Sequence, residues 1–166
     1  SDGRTIGCLG LVWDTLDDTL SLGFEDSFYL KRLKGQKPVH NQDLADPSVI
    51  AAALKEGHLT RAGVLSRVAE FYDPCGFWEP IKLQMKLALQ PLNGLNWSDP
   101  IPADHHEEWI RLFSLMAETK SAKISRCILP PDCVHPINIR LLCLADAAAN
   151  ACGTEVYAGV ARLDGS

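Results

Sequence analysis

Long apolar runs are missing from this sequence. The early run from Ile6 to Trp13 falls well short of the roughly 20 residues that a spanning helix needs, and it is too short for a secretion signal with its cleavage site. A net positive charge is missing too: 16 Lys and Arg face 21 Asp and Glu, for a net charge of −5. A protein that grips nucleic acid alone usually carries the opposite balance, because phosphate neutralisation supplies most of the affinity. Positive charge is local, with Lys31, Arg32, Lys34 and Lys37 in one cluster and Lys120, Lys123 and Arg126 in another. For an isolated chain both clusters read as solvated basic connectors. Among the six cysteines (Cys8, Cys75, Cys127, Cys133, Cys143 and Cys152) no pair has C-x-x-C spacing. With 46% hydrophobic residues and no secretion signal, a disulfide framework is not needed, and small buried or half-buried thiols are expected. Cys127, Cys133 and His135 lack the ligand spacing of a zinc site.

Several catalytic signatures are absent as well. There is no D-T-G or D-S-G loop, and Asp2-Gly3 and Asp164-Gly165 run into the wrong neighbours, so a two-aspartate peptidase has no support. Ser66, Ser114 and Ser125 have no Gly-flanked elbow for serine hydrolysis. His105-His106-Glu107-Glu108 lacks the i, i+4 histidines of a zinc helix and reads as a polar helix entrance. The length suits one ordinary domain or two incomplete ones. A start at Ser1 without Met suggests a piece of something longer, and the setting expected is intracellular, cytoplasmic or nuclear, with no membrane.

What is present is an ordered pattern. Thr5 to Trp13 reads as one strand, Asp14 to Asp18 as a turn, and Leu20, Leu22 and Phe24 as the alternating second arm of a hairpin. Asp17-Asp18 is turn chemistry. A polar, basic connector follows, with a short helix over Ser48 to Lys55 after Asp46-Pro47, closed by Gly57. Thr60 is placed to cap a helix carrying Val64, Leu65, Val68, Ala69 and Tyr72, stopped by Asp73-Pro74-Cys75-Gly76. A second long helix opens at Glu79-Pro80, with Ile81, Met85, Ala88, Leu89 and Leu92 on its apolar face. Asp104 and Glu107 have capping-box spacing for a third, whose stripe of Trp109, Leu112, Phe113 and Met116 reads as core. Ile137, Ile139, Leu141 and Cys143 then alternate with Asn138, Arg140, Leu142, Leu144 and Asp146 along a strand. Ala147 to Gly153 turns, and Thr154 to Leu163 returns. The outer edge of that hairpin has no expected cover, which suggests that further elements follow Ser166. The fold class expected is α+β, divided as residues 1–30 (hairpin), 31–59 (connector with a short helix), 60–120 (helical region) and 121–166 (linker and incomplete hairpin fold).

Three stretches carry a family resemblance. The first is Leu9-Gly10-Leu11-Val12-Trp13-Asp14 with Asp17-Asp18-Thr19-Leu20. The second is Leu59-Thr60-Arg61-Ala62-Gly63-Val64-Leu65-Ser66 with Phe71-Tyr72-Asp73-Pro74-Cys75-Gly76-Phe77, Pro80 and Lys86. The third is Leu144-Ala145-Asp146-Ala147-Ala148 with Gly153 and Val156-Tyr157. Together with Trp97-Ser98-Asp99-Pro100-Ile101-Pro102 and Trp109, they resemble, in order, a segment of Pao/BEL-type retrotransposon polyproteins.

That resemblance implies a position between a reverse transcriptase palm and a ribonuclease H-like domain. The first hairpin would end the palm. The helices from Thr60 would form a thumb or connection along the primer–template duplex, with Arg61, Arg67, Lys82 and Lys86 as candidate phosphate contacts. The last hairpin would open the ribonuclease H-like fold, with Asp146 as the first metal-binding carboxylate. Such chemistry needs several carboxylates around two Mg²⁺ ions about 4 Å apart. The companions of Asp146 would lie on later elements, so the complete Mg²⁺ site belongs to the parent protein and no nuclease activity is expected of this chain alone. The paired palm aspartates would lie upstream of Ser1, which excludes polymerase activity here. Partners expected are an RNA–DNA hybrid or DNA and the rest of the polyprotein. Ala148 stands where the family usually has Ser, which leaves room for a domesticated protein-interaction domain. The aspartic-peptidase label carried by the family finds no motif in this sequence.

Overall fold

The computed structural model describes residues 4–24, 46–127, 129 and 138–161. It has the expected α+β class: an N-terminal antiparallel sheet, four helices and a C-terminal hairpin. The sheet begins as a meander of β1 (Thr5–Cys8), β2 (Leu11–Asp14) and β3 (Thr19–Leu22). The single strand expected over Thr5 to Trp13 is therefore two strands. Cys8 pairs with Leu11, so Leu9-Gly10 is a two-residue hairpin loop, with φ of +48° and +78°. Both values are what a tight, right-twisted hairpin requires. Leucine is a poor residue for the first of these positions, so the turn is hidden in an apolar run. The turn expected after Asp14 is present, with Asp14 opposite Thr19.

Asp46 caps α1 (Pro47–Lys55), its side chain accepting from the Ser48 N–H at 2.8 Å. Thr60 caps α2 (Arg61–Glu70), accepting from the Gly63 N–H at 3.3 Å. α3 (Glu79–Leu89) carries Pro80 in its first turn and runs into a 3₁₀ turn over Gln90–Gly94. α4 (His106–Thr119) departs from expectation at its start. Ala103–His105 forms a 3₁₀ turn, His105 occupies the cap position without a side-chain capping bond, and the Asp104 capping box does not form. A bond of 2.9 Å between His106 Nε2 and the Ile101 carbonyl holds this entrance instead.

Every helix contributes to one core. Trp109, Leu112, Phe113 and Met116 of α4 are buried with Ile50 and Leu54 of α1, Val64 and Val68 of α2, and Met85 and Ala88 of α3. Leu22 and Phe24 enter from the sheet, where the Phe24 ring meets Phe71 edge-on at 5.8 Å. Burial of an apolar side chain of this size is worth about 1.5–3 kcal/mol, so this cluster dominates the stability of the fold. A two-residue strand, β4 (Ile124–Ser125), follows α4 and pairs with β3, giving the sheet order β1-β2-β3-β4. Nothing in its composition announced it.

β5 (Asn138–Ala147) and β6 (Cys152–Ala161) form the C-terminal hairpin. The return strand starts two residues earlier than expected, because Ala147 pairs with Cys152 and the loop is only Ala148–Ala151. One face shows Ile139, Leu141 and Cys143 beside Val160, Ala158 and Val156; the other shows Leu142 and Leu144 beside Tyr157 and Glu155. Apolar residues thus stand on both faces, the pattern of strands built for the middle of a layered sheet.

The expectation of buried or half-buried thiols is corrected for the described cysteines. Cys8, Cys75, Cys127, Cys143 and Cys152 are free and exposed among the described residues. Cys133 and His135 lie outside the described residues, as does the basic cluster from Lys31 to Lys37.

Candidate functional site

Asp146 stands on the second face of the hairpin, one position before the end of β5. Its cross-strand partner is Gly153, so no side chain covers the carboxylate from the neighbouring strand. A Cβ added at Gly153 would meet nothing within 4 Å. One oxygen, Oδ1, accepts from the N–H of Ala147 at 2.8 Å, which fixes the carboxylate at the mouth of the loop. Glu155 lies on the same face as a diagonal neighbour, its Oε2 accepting from the Tyr157 hydroxyl at 2.7 Å. That bond, and the carboxylate charge, raise the Tyr157 pKa above the ordinary phenol value. Among the described residues, no three His, Cys, Asp or Glu side chains gather in a metal-holding group. A lone exposed carboxylate does not supply the several oxygens that Mg²⁺ demands, so the described donor set does not fit that ion.

The four candidate cations do not share one surface. Lys82 and Lys86 sit one turn apart on α3. The Lys82 ammonium lies 6.0 Å from the centre of the Tyr72 ring, and Lys86 pairs with Glu79 in the first turn of its own helix. Arg61 is at the opposite end of α2 from Tyr72. Its guanidinium donates to the Leu95 carbonyl at 2.6 Å and stacks 4.7 Å from the centre of the Trp97 ring. Arg67 is 3% exposed and pairs with Glu70.

Arg61 belongs to a junction that the linear sequence conceals. The first N–H groups of α2 have no partners within the helix. The loop before α4 supplies them: the Asp99 carbonyl takes Arg61 N–H and the Trp97 carbonyl takes Ala62 N–H, both at 3.0 Å. The Thr60-Arg61 and Trp97-to-Pro102 motifs are therefore two halves of one helix cap. Asp73 is another residue whose work becomes visible only in the fold. It is 8% exposed and accepts from Gly76 N–H at 3.0 Å and from Trp78 N–H at 2.7 Å, tying the end of α2 to the start of α3. Its place before Pro74 marks a turn, and Gly76 (φ +75°) completes it.

The Asp14 to Asp18 turn is also more than a connector. Asp14 accepts from Arg4 and from the N–H groups of Leu16 and Asp17; Asp18 accepts from Trp13 Nε1 and Arg126. The Arg4 hydrogen bond holds the Asp14 carboxyl well below the usual range, and Arg126, then Trp13, lower that of Asp18. Lys123 and Arg126 remain about half-exposed, as solvated charges would, and are in addition ion-paired to this turn, which the sequence did not suggest.

With this geometry established, comparison with known proteins gives the class. Residues 60–166 match the family described as the Pao retrotransposon-like RNaseH-like domain, and the chain belongs to that family. No curated protein and no solved structure matches the chain. Among the described residues, no helix is long and apolar enough to cross a membrane.

Proposed function

We propose that this chain is the part of a Pao-type retrotransposon polyprotein that links reverse transcriptase to ribonuclease H, giving structure and primer–template contact without catalytic competence of its own. The observation that carries the reading is the hairpin in the family-matched segment. Exposed apolar side chains stand on both its faces, mixed with charged ones on the second, and Asp146 is left uncovered opposite Gly153. In the longer protein Asp146 would be one carboxylate of a Mg²⁺ site whose other ligands come from elsewhere. Lys86 is the exposed phosphate-contact candidate, with the half-buried Lys82 one turn away on α3 and the half-buried Arg61 beside the Trp97 loop as further candidates. Arg67 would have to leave its buried position to take part. The setting proposed is the cytoplasm, within a particle of the element, or the nucleus.

The test is binding of a fluorescent RNA–DNA hybrid by a longer stretch of the polyprotein that contains this chain, followed through a salt titration. Affinity should fall steeply with salt, and replacing both Lys82 and Lys86 with Gln should reduce the log–log slope by about 2. Undetectable or salt-insensitive binding removes the reading. A second reading, a domesticated protein-interaction domain, draws on the net charge of −5 and on Ala148. A peptidase reading gains no residue pair from the fold. An absence of cleavage by the purified chain, with no change for Asp146→Asn, would close it.

A further inference from the structure

The sheet takes its fourth strand from about a hundred residues along the chain, and it does so through very little ladder. Only Thr19↔Ser125 and Leu20↔Ile124 pair β3 with β4. Two pairs make a short strand even for an edge, so the ladder alone is a weak hold. Side chains make up the difference. Asp18, with φ of +51°, accepts Arg126 Nε at 2.5 Å and Arg126 Nη2 at 3.2 Å, while its carbonyl takes the Arg126 N–H at 2.9 Å. The same carboxylate accepts Trp13 Nε1 at 2.9 Å, and the Arg126 guanidinium lies 4.9 Å from the centre of the Trp13 ring. On the other side of β4, Lys123 Nζ lies 3.5 Å from Asp14 and 3.3 Å from Asp17. Arg4 holds the same two carboxylates at 3.1 and 3.2 Å. The two cations bracket Ile124-Ser125, and three aspartates of a single turn receive them.

We propose that the Asp14–Asp18 turn is an electrostatic clasp that fastens the chain at Lys123 and Arg126. It thereby sets the point from which the segment toward the β5–β6 hairpin leaves the sheet. An isolated surface ion pair is worth little. Here one arginine makes a two-pronged carboxylate contact, a ring stack and a backbone bond to the same turn, and such forked, networked geometry is where surface charge does matter. The clasp also joins residues 4–24 to the segment that begins at Thr60, across the start of the family match.

The test uses the whole chain and amide hydrogen exchange read by mass spectrometry. Arg126→Gln and Asp18→Asn should each speed exchange over residues 122–127 and 17–21 by roughly tenfold, with α4 unchanged. Asparagine tolerates the left-handed backbone at position 18, so the change removes the charge and one acceptor oxygen without straining the turn. The double variant should be little worse than either single one, because both remove the same contact. Unchanged exchange at 122–127, or effects that simply multiply in the double variant, would overturn the clasp. If a variant loosens α4 as well, the wild-type chain decides: exchange at 122–127 should rise severalfold between low and 1 M salt, and salt-independent exchange there refutes the proposal.

Discussion

Asp73→Ala offers the sharpest check on how the helical unit is held. The side chain accepts two backbone N–H groups, from Gly76 and Trp78, at the turn between α2 and α3, and it is 8% exposed. Removing it deletes two hydrogen bonds to a carboxylate and leaves the Trp78 donor without an acceptor next to a buried indole. Loss of a hydrogen bond to a charged acceptor costs about 1.5–3 kcal/mol, and stranding a buried donor about 1–3 kcal/mol. The two overlap, so a total of about 3 kcal/mol is expected. Asp73→Asn keeps one acceptor oxygen but turns an amide toward the other N–H, and about half that loss should follow. Urea unfolding followed by tryptophan fluorescence reads the change. With a slope of about 2 kcal/mol/M, the midpoint for Asp73→Ala should fall by about 1.5 M with the slope preserved. A midpoint within 0.3 M of wild type, or Asn behaving as badly as Ala, would show that the turn is held by packing and not by this carboxylate.

Other expected outcomes follow from local geometry. Leu9→Asn should stabilise the chain by about 0.5–1 kcal/mol in the same assay, since leucine at φ +48° carries a left-handed cost that asparagine largely escapes. Gly10→Ala should cost at least about 1 kcal/mol, because φ is +78° and the new Cβ would lie 2.8 Å from Tyr72 Cδ1. Trp109→Phe should cost far less than the roughly 3–5 kcal/mol of Trp109→Ala, because the indole Nε1 is buried without a hydrogen-bond partner among the described residues. Acid should open the clasp. Asp14 and Asp18 titrate below their ordinary values beside Arg4, Lys123 and Arg126, so their contribution is full above about pH 4 and fades as pH falls through the folded values. The gap in urea midpoint between wild type and Asp18→Asn should accordingly be full at about pH 6 and shrink progressively as pH falls below about 4; a gap that does not narrow at all in acid contradicts this.

Much of the helical half was legible because helices announce themselves twice, by apolar spacing and by caps. Thr60, Asp46, Pro80 and the Trp109–Met116 stripe all stand where those rules put them. The reading slipped where a tertiary contact replaced a local one. At α4, a histidine-to-carbonyl bond does the work that Asp104 was expected to do. At Leu9-Gly10, an apolar residue occupies a turn position and the run of hydrophobicity masks the break. β4 has no signal of its own, because two residues held by a distant aspartate leave no periodicity. The candidate site was half legible. Asp146 lies on a strand as expected and faces a glycine, but the cations chosen from helix spacing scatter between surface and interior. Charge on a sequence gives no sign of which arginine will be folded inward.

The shared interior of α1 and the later helices bears on how such elements trade pieces. Leu54, Ile50 and Leu59 lie before Thr60, yet they press on the same aromatic stripe as the residues after it. Recombination at that point between divergent relatives would pair mismatched halves of a single jigsaw. Crossovers just before β5 would meet no such obstacle from the hairpin, whose residues from Asn138 to Gly159 are solvent-facing apart from Ala151. Viable chimaeras should therefore inherit residues 4–126 from one parent.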